Sequence, residues 1–235
     1  MRNTFTFGGV TSSSYGVYIS GSGIYDAPAY DYEHIEIPGR SGDLVMNNQR
    51  FRNIELIYPA FIMKSFDNNI QNLKARLMSQ VGYKRLTDTY NTDEFRMATF
   101  ESGLNVDPIK SLSAGQFEIK FNCKPQRWLT SGESVTTLTT SGSISNPTRF
   151  AAKPLIVVTG YGTVKVGSNT ITITNNFPSV TIDSELGDCY SGSSNANPYV
   201  SFSKNVFPTL AYGSNSITIS GNVTKVEITP RWWRL

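Results

Sequence analysis

The sequence predicts a mainly β protein with one helix, arranged in two units. Three observations carry that reading. Short apolar runs, supplied with 13 Phe and 12 Tyr, are separated by Ser, Thr, Gly and Asn, a mixture that suits strands joined by tight turns. One segment, Phe66 to Leu77, spaces its apolar residues for a helix. Residues 131–147 change texture and become rich in Ser and Thr, which places a boundary near Thr130 and the units at 1–130 and 131–235.

In the first unit Thr4-Phe5-Thr6-Phe7 alternates and Gly8-Gly9 turns the chain. Tyr15 to Ile19 reads as a short strand ending at Ser20-Gly21-Ser22-Gly23. Tyr32 to Ile37 leads into the dense turn signal Pro38-Gly39-Arg40-Ser41-Gly42-Asp43. Asn53 to Tyr58 resumes strand character and is expected to stop at Pro59. In the helix, Phe66, Ile70, Leu73 and Leu77 form one stripe, with Ser65 or Asp67 as the cap and Gly82 as the left-handed end. Burying four such side chains contributes roughly 1.5–3 kcal/mol each before entropy is subtracted, so the stripe is expected on a sheet rather than on a partner or cofactor. Tyr83 to Leu86, Phe95 to Phe100 and Gln116 to Cys123 follow as strands. The last alternates cleanly, with Phe117, Ile119, Phe121 and Cys123 on one face and Glu118, Lys120 and Asn122 on the other.

In the second unit Ser141-Gly142-Ser143 reads as a turn or flexible joint. Pro154 to Val158 is a buried strand candidate. Val164 to Val166, Gly167-Ser168-Asn169 and Ile171 to Ile173 form a hairpin by pattern. Val180 to Ile182, Tyr199 to Phe202, Ser216 to Ile219 and Val226 to Ile228 follow at close spacing, as in a sandwich. The segment from Gly167 to Ile173 is echoed from Gly213 to Ile219, which we read as shared turn chemistry and not as a repeat.

The formal net charge of +3, with basic residues scattered, argues against a nucleic-acid binder. No stretch approaches the roughly 20 apolar residues of a membrane span. The first residues have no apolar signal-peptide core, so folding in a cytoplasm is expected, with Cys123 and Cys189 as free buried thiols.

Catalytic chemistry finds little to work with. His34 is the one histidine, and no nucleophile elbow accompanies it, so it reads as a partly exposed polar residue. One His and two distant Cys do not make a zinc site. Asp183-Ser184-Glu185 with Gly187-Asp188 is an acidic cluster, read as strand-end acids with a calcium site as the alternative. Gly39-Arg40-Ser41-Gly42 lacks the ending of a phosphate-binding loop. Trp232-Trp233 could offer one ring to a sugar, although core packing or an interface is the favoured reading. No catalytic, cofactor or metal residues are therefore assigned.

Several segments, taken together and in order, resemble the distal tail proteins of long-tailed phages that infect Gram-positive bacteria. They are Phe5-Thr6-Phe7-Gly8-Gly9 with Tyr15-Gly16-Val17, where Gly8 stands in place of the usual asparagine; Ile37 to Leu44, with its proline–glycine–arginine turn; Gly115 to Pro125; and Phe207 to Ile217. The resemblance implies a tail-tube-like β-sandwich with a helix in the first unit and a galectin-like β-sandwich in the second. It implies a homo-hexameric ring, single or in stacked pairs, at the virion tail tip, assembled in the host cytoplasm. That ring joins the tail tube protein to a tail-associated lysin or fibre hub protein, in some phages carries receptor-binding proteins, and lets DNA through. It implies neither enzyme activity nor a cofactor. The alternative function is a carbohydrate-binding adhesin module that recognises host cell-wall glycans.

Overall fold

The structure is a computed structural model that describes residues 2–21, 26–63, 65–104, 106–109 and 114–235. The Ser22-Gly23 part of the turn expected after Ile19 lies outside them. The chain divides into two compact units, one reaching to Arg127 and including Leu235, the other Trp128–Arg234.

The first unit holds β1 (Phe5–Phe7), β2 (Val10–Thr11), β3 (Val17–Ile19), β4 (Tyr30–Ile35), β5 (Leu44–Phe51), β6 (Ile54–Ile62), α1 (Phe66–Met78), β7 (Lys84–Asp88), β8 (Glu94–Thr99), β9 (Val106–Ile109) and β10 (Ala114–Cys123). One sheet runs β2-β1-β7-β8-β10-β6-β3, with β9 beside β10. A bridge from Asn3 to Ile19 draws the β1 and β3 ends together. Gly8 and Gly9 are both left-handed (φ 57° and 83°), as the two-residue turn between β1 and β2 requires. The predicted inward face of β10 is buried throughout, and Phe121 packs against Phe5 and Phe7 with ring centroids 5.5 and 4.9 Å apart. Ile70, Leu73 and Leu77 of α1 are buried in the same core, and Phe66 packs on its margin.

Three local expectations are corrected. β6 does not stop at Pro59. The Pro59 carbonyl accepts from Ser20 N–H on the side where β3 pairs, so its missing N–H also falls on that side and takes nothing from the β10 ladder. Ser65 occupies the cap position of α1 but is left-handed (φ 52°) and makes no side-chain cap, so Asp67 in the first turn is left to favour the helix dipole. Gly82 is left-handed (φ 71°), but α1 has already ended at Met78; the glycine serves the turn into β7.

The second unit, with the strand leading into it, holds β11 (Arg127–Leu129), β12 (Thr136–Leu138), β13 (Gly142–Asn146), β14 (Leu155–Val166), β15 (Asn169–Ile173), β16 (Val180–Asp183), β17 (Asp188–Ser191), β18 (Ser194–Asn195), β19 (Val200–Phe202), β20 (Gly213–Thr229) and β21 (Trp233–Arg234). β14 pairs along its whole length with the Ile217–Thr229 part of β20, with a bulge between Thr159 and Gly160. On one side of the bulge they join β12, β16, β17 and β18; on the other, β13, β15 and β19. A single core collects Ile156, Val158, Ile182 and Ile228 from one part and Val164, Ile171 and Ile217 from the other.

Two expectations fail here. Ser216–Ile219 and Val226–Ile228 are not separate strands but parts of β20, which continues through left-handed Gly221. Across from it, a Cβ at Gly160 would sit 2.2 Å from the Asn222 carbonyl oxygen, so only glycine allows the two backbones to cross this closely. Gly142 and Ser143 are not a joint but begin β13, whose backbone pairs with Ile217 and Ser216. The echoed turns do share their chemistry. Gly167 and Gly213 are both left-handed, and buried Asn169 and Asn215 donate to the loop carbonyls of Val206 and Ala211.

Candidate interaction surface

The sequence's candidate site residues are dispersed. His34 is exposed, with Nδ1 3.7 Å from the Asp43 carboxylate. Asp183 is buried, and both its oxygens accept from the Arg231 guanidinium, at 2.6 and 2.9 Å. Burial pushes the Asp183 carboxyl up, but Arg231 and the backbone N–H groups of Leu186 and Glu185 outweigh it and hold it below the ordinary range. The acidic cluster is thus built around an ion pair; among the described residues no group of acids, His and Cys is arranged to hold a metal. Trp232 is buried in the core, and half-buried Trp233 stacks on Phe150 at 4.5 Å and donates to the Ala151 carbonyl, so the two rings face different surroundings. Cys123 and Cys189 are free and buried, and burial pushes both thiols up to about 12.

What concentrates exposed apolar surface is β4 and β5. They form an antiparallel arm outside the main sheet, joined by the predicted turn, in which Gly39 and Gly42 are left-handed and Arg40 N–H binds the Ile37 carbonyl. Among the described residues, 7 of 17 exposed large apolar side chains fall between Tyr30 and Met46, which marks this segment off from the rest. Register assigns the faces. Glu33 lies opposite Met46 and Ile35 opposite Leu44; on the other face Tyr32 is opposite Asn47 and His34 opposite Val45. One face is therefore largely aliphatic and the other mixed. β5 was not foreseen, yet Leu44-Val45-Met46 carries its signal: consecutive apolar residues in a strand must place apolar groups on both faces.

The root of the arm is pinned. Between the pairs Tyr30–Phe51 and Tyr32–Asn47, β4 advances two residues and β5 four, so β5 bulges. Gln49 in the bulge is left-handed (φ 54°), and its N–H is held by the Asn47 side chain at 2.8 Å. Asp31, nearly buried, accepts from Arg50 Nε at 2.7 Å and Arg52 Nε at 2.9 Å. Those two bonds, Arg50 first, hold its carboxyl below the ordinary value. Arg52 N–H closes the root on the Ala29 carbonyl at 2.9 Å.

No family model and no curated protein sequence matches the chain. Solved structures do. The crystal structure of the phage SPP1 Dit (gp 19.1) protein, described as a paradigm of the hub adsorption apparatus in phages that infect Gram-positive bacteria, is similar over 100% of both chains, with a TM-score of 0.76 and 12% identity. A chain of the phage P2 baseplate in its activated conformation with Ca is similar over 97% of this chain and 98% of its own, with a TM-score of 0.50 and 8% identity. The chain thus has the two-unit fold of a phage distal tail protein from end to end.

Proposed function

We propose that this chain is a structural, non-catalytic protein of a phage tail tip. In this reading six copies close a hub ring that joins the tail tube to a tail-associated lysin or fibre hub protein. The ring gives DNA its exit and serves as a platform for receptor-binding proteins. The first unit is the ring-forming, tail-tube-like domain and the second the galectin-like domain. The observation that carries the reading is the likeness to the SPP1 protein across both units, since a shared sandwich alone would match only one. The apolar arm supports it, because a surface of that kind belongs in an assembly.

Negative-stain images and mass photometry of the purified protein test the proposal. The expected result is closed six-membered rings, single or stacked in pairs. A monomer at every concentration, with or without a tail tube protein, would overturn it. Because DNA must pass, the lumen is expected to present acidic and neutral residues, and the assembled ring should bind duplex DNA weakly. Tight, salt-sensitive DNA binding would count against that passage.

A further inference from the structure

We infer that one water molecule is built into the first unit, bridging the guanidinium of Arg96 to the carboxylate of Asp88. The inference is independent of the ring reading above. β8 turns its charged residues inward: Glu94, Arg96 and Ala98 are buried, and Phe95 and Met97 are left half-buried on the other face. Arginine and glutamate are rarely buried unless paired. Glu94 is paired, since its Oε1 accepts from Arg127 Nε. Arg96 is only 7% exposed, and its Nη1 has no hydrogen-bond partner among the described residues. A charged donor buried in that way is costly unless an acceptor is supplied.

Arg96 lines a cavity of about 20 Å³ together with Tyr58, Asp88, Asn91 and Glu94. A water needs ~10–15 Å³, so the cavity takes one and not a cluster. Asp88, on the same wall, has acceptor capacity to spare. Its Oδ2 accepts from Tyr58 OH at 2.6 Å, and its Oδ1 from the N–H groups of Tyr90 and Asn91 at 2.8 and 2.9 Å. A carboxylate offers about four such sites, of which these three donors leave one. Arg96 and Asp88 share the cavity without bonding each other. The occupant therefore has to accept from one and donate to the other, and water does both. An anion would meet the carboxylates of Asp88 and Glu94, and a cation would meet the guanidinium. A water-mediated bond is nearly as good as a direct one, so the bridge satisfies both groups and lets β8 keep its charge beside Tyr58.

Two measurements test this. A high-resolution crystal structure of the wild-type protein soaked in sodium bromide should show one peak within ~3.2 Å of both groups and no anomalous bromide signal there. A cavity without density, a bromide peak, or Arg96 bonded directly to Asp88 would overturn the inference. A double-mutant cycle reads the coupling in solution. Arg96→Met and Asp88→Asn should each lower the denaturation midpoint, and together they should lower it by clearly less than the sum. Additive losses would overturn the bridge as well.

Discussion

Two antiparallel strand pairs, β14 with β20 and β4 with β5, are made by the same backbone chemistry and differ in what surrounds them. In the first, apolar residues alternate, and Ile156, Val158, Ile217 and Val226 are buried on the core side. In the second, Leu44, Val45 and Met46 follow one another and all are exposed. A strand pair that ends inside one chain needs one apolar face. A pair with apolar groups on both faces has more surface than its own chain covers. The contrast separates residues that hold the fold from apolar residues that the fold leaves exposed.

The widest gap is expected between core and arm truncations. Leu73→Ala in α1 and Ile156→Ala in β14 should each cost about 2–5 kcal/mol in chemical denaturation. An unchanged midpoint for either would mean its side chain is not packed as described. The Asp183–Arg231 pair comes next. Asp183→Asn should cost about 1.5–3 kcal/mol at neutral pH. The folded carboxyl lies below its ordinary value, so its contribution is fully present above that ordinary value and is lost as pH falls through the lowered one. Melting curves of wild type and Asp183→Asn should therefore converge on acidification; a gap that stays constant with pH would rule out the ion pair as its source.

Asp31→Asn should act on the arm alone. Amide hydrogen exchange across residues 30–52 should quicken while the melting midpoint holds, because the pin fixes the root and lies outside the core cluster. Unaltered exchange would show that the bulge holds the arm without the carboxylate. The smallest effect is expected at Leu44→Ala, within about 0.5 kcal/mol for the monomer. A larger loss would mean the arm folds back on its own unit. Finally, unfolding without reductant should release two titratable thiols, one from each core.

Elements whose pattern is local can be read from the residues alone. The inward face of β10, the α1 stripe, the Gly8-Gly9 turn and the β14–β15 hairpin are legible because side-chain period and left-handed glycines act over a few residues. The other elements depend on neighbours that are distant in the chain. Pro59 stays in a strand because β3 ends beside it. Gly142-Ser143 becomes strand because β20 lies alongside. The two halves of β20 join because Gly160 lets a distant backbone approach Asn222. The acids near Asp183 became an ion pair because Arg231, 48 residues on, folds back to them. Leu44-Val45-Met46 announces two apolar faces, but that both stay uncovered depends on which surfaces the finished fold brings near them. Periodicity states which face of a segment avoids water; the surface that covers it comes from far along the chain.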